Sequence, residues 1–355
     1  MKRTELLRVL QELEPVVASD SANEEMTHFR FAGDVVRVTN GVQQAEAKLP
    51  EPSGITCLVP ASRFVRLLSS FGKEELVLSH DDEKHHLNIK CGDCNARYST
   101  LEDAGILDKL DFDVSDWIPV PKGMVDSIAA VRFAASKEIV RGPLCGVRVV
   151  DGVAIGSNGA AIAAAYFSSS DAAVLKTGFI LPLATADMLA KNSDQVDAFS
   201  LKESRAYFRL KTGVVFGGSV LPGTYPDALK FLERSTAFNQ SFEFPETVIS
   251  VLSRHEGQQD GVPDRDREVQ VGVSQDKLSV VTKAAVVLEL VDTVSLGNSL
   301  DRSFSFRTHP GMFSGILKRC KVMQYGDEDF VSFGNKEIKE GSSFAPTYLV
   351  VVERA

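Results

Sequence analysis

Apolar residues recur at helical spacing in six short segments of the chain. Near the start, Leu6, Leu10, Leu13 and Val17 fall four, three and four residues apart, which forms one apolar stripe along a helix. Each of the other five segments carries a proline at its start, where the fixed φ of that residue suits the first helical turn. We predict helices within residues 1–18, 60–73, 121–137, 181–192, 245–255 and 309–321.

Between these segments, apolar and polar residues alternate with the two-residue period of β-strands. Residues 28–41 read HFRFAGDVVRVTNG, and residues 147–159 read VRVVDGVAIGSNG, with a turn predicted at Asp151-Gly152. The helix-opening prolines are 61, 61, 63 and 65 residues apart, at Pro60, Pro121, Pro182, Pro245 and Pro310. Each step holds one helix and three or four strands, which indicates an α+β fold of repeated units. The alternative is an accidental spacing of five among fourteen prolines.

The length and the composition bound the class of protein. A chain of 355 residues exceeds what one hydrophobic core supports, so two or three domains are expected. No apolar run has the roughly 18 residues that a membrane span needs, and the opening MKRTELLRVLQELEP carries charges where a signal peptide is apolar. We expect a cytoplasmic protein without a membrane segment. Its five cysteines, an odd number, are expected to be reduced thiols.

The distribution of charge changes what the net charge suggests. A formal charge of −9 argues against nucleic acid as a partner. The six helical segments, however, hold 14 Lys and Arg against 6 Asp and Glu, a net +8 that leaves −17 for the remainder. The helix dipole favours cations at helix C-termini, which would explain Lys137 and the basic residues within 318–321. It does not explain Arg63, Arg66 or Lys122, which lie near helix starts. The pattern indicates a positive helix face in an acidic body.

One stretch has the residue types of a metal or redox site. Residues 80–94 hold His80, His85, His86, Cys91 and Cys94. Zinc needs four convergent ligands, and a single Cys-x-x-Cys pair supplies only two. We favour a β-hairpin with its turn at Gly92-Asp93, and we predict no metal and no cofactor.

Motifs of catalysis are missing from the sequence. It contains no Gly-x-Gly-x-x-Gly, no phosphate loop with Gly-Lys-Ser/Thr and no Gly-x-Ser-x-Gly. We therefore predict that the protein is not an enzyme. A zinc- or thiol-dependent enzyme stays a remote alternative.

Four segments, in order along the chain, resemble one known family. PVPKGMVDSIAAVRFAASKEIVRGPLCGVRV resembles the family's opening helix and first strand in its middle domain, and VAIGSNGAAIAAAYF stands where the family has Thr-Asp-Gly-His-Arg-Leu-Ala. SVLPGTYPDALKFL matches the Gly-x-Phe/Tyr-Pro-Asp-Tyr segment, and APTYLVVVERA resembles the closing strand. The chain is similar to the bacterial-type sliding clamp, the β subunit of DNA polymerase III, and its phage relatives.

The resemblance implies an architecture and a function. It implies three tandem clamp domains at 1–117, 118–238 and 239–355, each with two helices packed on antiparallel sheets. Two copies would close head to tail into a homodimeric ring around duplex DNA of any sequence. The ring would act as a processivity factor, tethering the DNA polymerase and the clamp loader through short linear peptides. A clamp-fold interaction protein that does not encircle DNA is the alternative.

The resemblance also implies a peptide-binding cleft between the second and third domains. The residues carried over are Leu144, Ser157, Gly159, Ile162, Pro226, Lys230, Phe231, Val350, Val351 and Val352. Ala160 and Ala161 replace His-Arg of the family signature, and Val352 and Glu353 replace Pro and Met of the last strand. These changes remove a cation and add an anion at the rim, so a different peptide preference is expected.

Two further residue sets follow from the resemblance. The residues expected to face DNA are Arg3, Arg8, Arg63, Arg66, Lys73, Lys122, Arg132, Lys137, Arg141, Lys318, Arg319 and Lys321. The family's DNA-contacting tyrosine pair is Gly142-Pro143 here. The residues expected at the dimer interface are Tyr98, Val251 and Leu252.

Overall fold

The structure of the chain is a computed structural model. It describes residues 1–102, 105–107, 110, 112–159, 161–168, 173–262, 266–274, 276–283, 289–297, 303–326, 330–334, 347–351 and 353–354. Contacts between residues divide the chain into two compact units. The first unit consists of Met1–Val120 and Lys191–Val220, and the second consists of Pro121–Ala190 and Leu221–Ala355. The predicted middle domain contributes to both units, and the division into three domains stays a prediction.

Eight α-helices lie in the described part of the chain. They are α1 Arg3–Leu13, α2 Ala61–Ser70, α3 Met124–Val131, α4 Ala173–Thr177, α5 Leu183–Lys191, α6 Ala228–Ser235, α7 Thr247–Gly257 and α8 Pro310–Arg319. The six helices predicted from the periodicity are confirmed. Of the five prolines, however, only Pro310 lies inside its helix, whereas Pro60 and Pro182 end the strand that comes before the helix. These two prolines mark strand-to-helix corners.

The strands are short and pair only in antiparallel fashion. They are β1 His28–Gly33, β2 Val35–Thr39, β3 Gln43–Lys48, β4 Ile55–Pro60, β5 Leu76–Asp81, β6 His86–Cys91, β7 Cys94–Ser99, β8 Ile118–Pro119, β9 Gly146–Val150, β10 Val153–Ser157, β11 Ala161–Tyr166, β12 Phe179–Pro182, β13 Val196–Lys202, β14 Arg205–Leu210, β15 Val215–Ser219, β16 Gln240–Glu243, β17 Val269–Ser274, β18 Lys277–Lys283, β19 Glu289–Ser295, β20 Phe304–Thr308, β21 Val322–Tyr325, β22 Phe330–Phe333, β23 Thr347–Val351 and β24 Glu353–Arg354. The predicted α+β class is confirmed.

In the first unit, an eight-stranded sheet runs in the order β4-β1-β2-β3-β15-β14-β13-β8, and a three-stranded sheet runs β5-β6-β7. Helices α1 and α2 pack against each other through their apolar stripes, which bury Leu6, Leu10, Phe64 and Leu68 completely. The ring of Phe31 on β1 meets that of Phe64 edge-on at 5.9 Å between centroids. The helical period read from the sequence is therefore the pattern that fills this core.

The second unit contains the two remaining sheets. One has the order β12-β9-β10-β11-β23-β22-β21-β16, and the other has the order β19-β18-β17-β20-β24. Helices α7 and α8 pack together, and the rings of Phe244, Phe313 and Phe333 form one cluster with centroids 5.8 Å apart in each pair. Because β11 pairs with β23, the sheet joins an early segment of the unit to the end of the chain.

Two turns predicted from the sequence are confirmed. Val150 pairs with Val153 across Asp151-Gly152, whose φ values of +42° and +79° suit a two-residue hairpin. Cys91 pairs with Cys94 across Gly92-Asp93.

Candidate functional site

An apolar cluster in the second unit brings together three parts of the chain. Strands β9 to β12, residues 221–238 and strand β22 all contribute to it. Its buried members are Val150, Val153, Ile155, Ala164, Ile180, Tyr225, Ala228, Leu232, Phe238 and Phe330, with Leu144, Ile162, Tyr166 and Leu221 packed against them. Two predicted cleft residues, Leu144 and Ile162, therefore contact the cluster that holds the segment PGTYPDAL.

Tyr225 fixes that segment to the sheet. Its side chain is 3% exposed, and its hydroxyl donates towards the carbonyls of Gly146, at 3.4 Å, and Ile155, at 3.3 Å. Burial raises the pKa of this phenol well above its usual value, so it stays a donor. The N–H of Leu221 also bonds the carbonyl of Ile180 at 2.9 Å. The segment thus reaches α6 in a fixed path, with Pro226 exposed beside it.

Helix α6 forms an aromatic wall beside the cluster. Leu232 is buried, whereas Phe231 remains 37% exposed. The ring of Phe231 meets that of Phe330 edge-on at 5.7 Å, and the guanidinium of Arg234 lies 5.4 Å from the Phe330 centroid. Lys230 points away from the cluster and pairs with Asp227 at 3.1 Å. Two predicted cleft residues lie on α6. Phe231 packs beside the apolar cluster, and Lys230 lies at its exposed rim.

The connection from β10 to β11 is a tight polar turn. The Ser157 hydroxyl donates to the carbonyl of Ala161 at 2.8 Å and accepts from the N–H of Gly159 at 3.1 Å. Gly159 has φ +92°, a region that favours glycine, and a Cβ there would lie 3.1 Å from an Arg141 nitrogen. Arg141 donates to the Asn158 carbonyl at 2.7 Å. Ser157 and Gly159 therefore shape the turn, and Ala160 lies outside the described residues.

The end of the chain borders the same cluster through its backbone. In the register of β11 with β23, Ala161 is opposite Val350, and in that of β22 with β23, Phe330 is opposite Val351. Val350 and Val351 thus lie on the strand between β11 and β22. Val352 lies outside the described residues. We call the group Leu144, Ile162, Tyr225, Phe231 and Phe330, which lies where the cleft is predicted, the partner cleft.

The cations predicted to face DNA divide into two groups. The first is exposed and forms no ion pair with another described residue. It comprises Arg8, Arg63, Arg66, Lys73, Lys122 and Lys318. These six residues, on or flanking α1, α2, α3 and α8, are called the exposed cations below.

In the second group, side chains are held by partners within their own unit. For Arg3, this corrects the prediction that the residue faces DNA. Its side chain is 15% exposed and donates to the carbonyls of Leu68, at 3.0 Å, and Lys73, at 2.9 Å. It binds the end of α2, where carbonyls lack helical partners, and is not placed to contact phosphate.

Four other predicted DNA-facing cations also have partners. Arg132 pairs with Asp187 at 2.8 Å, Arg141 pairs with Glu138 at 2.9 Å, and Lys321 pairs with Glu246 at 3.3 Å. The guanidinium of Arg319 lies 4.6 Å from the centroid of the Phe133 ring. Lys137 is exposed beside the loop at 139–145. The structure therefore leaves fewer free positive groups than the sequence suggested.

The predicted dimer contact requires a second correction. Leu252 is fully buried and Val251 is 6% exposed, because both face the core side of α7. Neither side chain is free to meet a second copy. Tyr98 is partly exposed on β7, and its hydroxyl donates to the Arg63 carbonyl at 3.1 Å. In their respective units, β7 and β19 are edge strands within the described residues.

Sequence reasoning missed an exposed apolar tip. Ile139 and Val140 are 91% and 92% exposed in the loop between α3 and β9. The loop is fixed by bonds from the N–H of Ser136 to the Leu144 carbonyl, at 2.8 Å, and from the Cys145 thiol to the Glu138 carbonyl, also at 2.8 Å. Periodicity could not reveal this exposure, because the loop has no repeating pattern.

The described residues do not meet the requirements of a metal site or of a membrane-spanning helix. No three His, Cys, Asp or Glu side chains there come close enough to hold a metal ion. None of the helices in the same part of the chain has the length and apolar character that crossing a membrane requires.

Comparison with known proteins gives a clear result for the fold only. No family description matches the sequence, and no curated protein matches it. Among solved structures, the β subunit of the DNA polymerase of Streptococcus pyogenes is similar with a TM-score of 0.76 at 16% identity, over 100% of this chain and 99% of that one. The DNA polymerase III β chain of Streptococcus pneumoniae TIGR4 gives 0.77 at 14%, over 100% and 98%.

A third structure agrees with these two. The DNA polymerase sliding clamp of Caulobacter crescentus gives a TM-score of 0.75 at 16% identity, over 100% of this chain and 99% of that one. The expected similarity is confirmed for the whole chain. From its first residue to its last, the protein shares the fold of the bacterial DNA polymerase III β sliding clamps.

Proposed function

We propose that the protein is a DNA sliding clamp, a processivity factor without catalytic activity. Two copies close head to tail around duplex DNA, and the replicative polymerase and other partners dock in the partner cleft. One observation carries the proposal: the fold agrees with that of DNA polymerase β subunits over the entire chain and not over a single domain. A tether that works by encircling its DNA needs no reacting group, which fits the lack of a catalytic motif.

The exposed cations support binding to DNA of any sequence. Arg63 and Arg66 project from one side of α2, one helical turn apart, and can reach neighbouring phosphates. Contacts to phosphate carry no sequence information, so a ring held by them can slide. The acidic remainder of the chain would discourage DNA from binding elsewhere on the surface.

The partner cleft supports docking of a short peptide. Phe231 offers a partly exposed aromatic face beside the buried ring of Phe330. Arg234 lies over both rings, and Lys230, which pairs with Asp227, is at the exposed rim. An apolar anchor such as Leu or Phe could bury itself against these rings, and flanking acidic residues could pair with the rim.

Two edge strands support the dimer. Strand β7 carries Arg97 and Tyr98, and strand β19 carries Glu289 and Asp292. An edge strand leaves N–H and C=O groups unpaired, so another strand can be added to it. We propose that β7 of one copy pairs with β19 of the next, with Arg97 of one copy near Glu289 of the other, while Asp292 keeps its ion pair with Arg254 at 3.0 Å. This replaces the contact expected at Val251 and Leu252.

A clamp-fold interaction protein that never encircles DNA is the second candidate. The net charge of −9 favours it, as do the internal partners of Arg3, Arg132 and Lys321. Such a protein could keep the partner cleft but would have no need for a closed ring.

Light scattering after gel filtration tests the assembly. A ring of two copies predicts a mass of twice 38.6 kDa. Replacing Arg97 by Glu places like charges opposite Glu289 and should shift the protein to monomers, whereas Lys90→Glu on the neighbouring strand should not. A wild-type protein that stays monomeric at every concentration tested would contradict the ring.

A further inference from the structure

Cys91 and Cys94 stand opposite each other at the end of the hairpin β6–β7. They are the last pair in its register, separated by the turn Gly92-Asp93. Both are free thiols, the first buried and the second exposed. The proposed clamp function makes no use of the pair.

The geometry of the pair suits a disulfide bond. Opposed residues of antiparallel strands have Cα atoms about 4.5–5.5 Å apart, within the roughly 4.4–6.8 Å that disulfides span. Their side chains also project from the same side of the ribbon. The Cβ atoms of such pairs lie about 4.5–5.5 Å apart, against about 3.5–4.5 Å in disulfides. The hairpin therefore needs to close by only about 1 Å.

The two thiols differ in access. Cys91 is 1% exposed, and its thiol donates to the Lys73 carbonyl at 3.3 Å. Cys94 is exposed at the start of the edge strand β7. A small oxidant can therefore reach Cys94 but not Cys91, which sets the order of any reaction.

We propose that Cys91 and Cys94 are a reversible dithiol–disulfide pair that reacts with small disulfides of the glutathione class. The Cys94 thiolate attacks one sulfur of the oxidant, forming a mixed disulfide and releasing one thiol molecule. The Cys91 thiolate then attacks the Cys94 sulfur and releases the second. Two protein thiols lose two electrons and two protons, and the oxidant becomes two thiols. The inference is independent of the proposed clamp function.

The bond would respond to redox conditions and would contribute little to stability. A disulfide stabilises mainly by closing a loop of the unfolded chain, and this loop holds only two residues, Gly92 and Asp93. Its formation would also strain the hairpin, and strained disulfides are easily reduced. In a reducing compartment the pair stays reduced until an oxidant appears.

Oxidation would also change a contact outside the hairpin. The Lys73 carbonyl accepts from both the Cys91 thiol and the Arg3 guanidinium, at 3.3 and 2.9 Å. The Lys73 side chain packs on the turn, since a Cβ on Gly92 would lie 2.7 Å from its Cγ. Forming the disulfide removes the thiol proton and with it one of the two bonds to Lys73. We expect cleavage by trypsin after Lys73 to become about fivefold faster, as for one lost hydrogen bond.

Peptide mapping of the full-length protein tests the bond itself. Trypsin cuts after Lys90 and Arg97, so both cysteines fall in the single peptide 91–97. After incubation with oxidised glutathione and blocking of free thiols, this peptide should appear unblocked and two hydrogens lighter. A peptide that keeps both thiols, or that carries glutathione on Cys94 in the wild type at equilibrium, would overturn the proposal.

Two variants separate the steps. With Cys91→Ser no second thiol can resolve the mixed disulfide, so glutathione should accumulate on Cys94. With Cys94→Ser, which alters an exposed position and leaves the core intact, peptide 91–97 should stay reduced. Cys145→Ser is the matched control, because it removes a partly exposed thiol far along the chain and should leave oxidation of the hairpin unchanged. Equal oxidation of Cys91 in the Cys94→Ser variant would contradict the assigned order.

Discussion

Contacts within the second unit hold the partner cleft in place, whereas the exposed cations lie on or beside helices without an ion pair to another described residue. In the cleft, the single hydroxyl proton of Tyr225 is shared between two carbonyls at 3.4 and 3.3 Å, and Gly159 adopts a φ of +92° in the turn from β10 to β11. On α2, Arg63 and Arg66 are anchored only through their backbone. The difference matches what the two surfaces would bind.

A peptide that docks in one register needs a preorganised surface, because ordering the cleft on binding would reduce the affinity. DNA that slides needs the opposite, namely charges that contact any phosphate equally and bind none tightly. The first surface should therefore be sensitive to single substitutions, and the second should respond mainly to the number of exposed cations that remain on it.

The largest effect is expected at Phe231. Replacing it with Asp removes the exposed aromatic face and puts an anion against Phe330, so the affinity for the polymerase should fall at least about 30-fold, as at an interface hot spot. Surface plasmon resonance with the polymerase immobilised measures this. Leu229→Asp is the matched control, since Leu229 is 39% exposed on the same helix but lies off the Phe330 contact. Equal losses in both variants would show that the helix as a whole, and not the cleft, is needed.

The second effect concerns the exposed cations. Reversing Arg63 and Arg66 together to Glu should reduce DNA affinity about tenfold and lower the slope of log affinity against log salt by about 2, one unit for each lost phosphate contact. Fluorescence anisotropy with a labelled duplex at several salt concentrations measures both quantities. Reversing Lys48 and Lys90 on strands of the same unit changes the net charge equally. If that pair has the same effect, net charge and not position governs binding.

The smallest effect is expected from a single hydroxyl. Tyr225→Phe leaves the ring packed but removes a buried donor, so the free energy of unfolding should fall by about 1–3 kcal/mol. Tyr98→Phe deletes the same group from a partly exposed bond to Arg63 and should cost less than about 1 kcal/mol. Urea unfolding of the three proteins compares them. A Tyr98→Phe loss as large as that of Tyr225→Phe would contradict the anchoring role of Tyr225.

Local patterns carried most of what could be predicted. The six predicted helices follow from apolar spacing, and the turns at Asp151-Gly152 and Gly92-Asp93 follow from residue types that are common in two-residue hairpin turns. Helix α6 was missed because its eight residues follow a segment rich in turn signals, although Ala228, Leu232 and Ser235 mark its buried side.

Contacts between distant parts of the chain could not be predicted in the same way. From the sequence, Arg3 is expected to be a free cation near a helix start. Its hydrogen-bond partners, the carbonyls of Leu68 and Lys73, are about 65 to 70 residues away in the sequence. Val248, Val251 and Leu252 share one side of α7 at helical spacing. Their burial could therefore be predicted from the sequence, and the interface expected at Val251 and Leu252 comes from the family resemblance alone. Phe330, a wall of the partner cleft, lies about a hundred residues from Phe231 in the sequence and meets it only in the folded unit.

Encirclement of DNA is the central claim, and a change of DNA topology tests it most directly. The protein is assembled on a nicked circular plasmid, separated from free protein by gel filtration, and retention is compared before and after one restriction cut. We expect the protein to stay on the circle and to leave once ends appear, unless both ends are blocked by bound streptavidin. Equal retention on circular and open-ended linear DNA would contradict a closed ring.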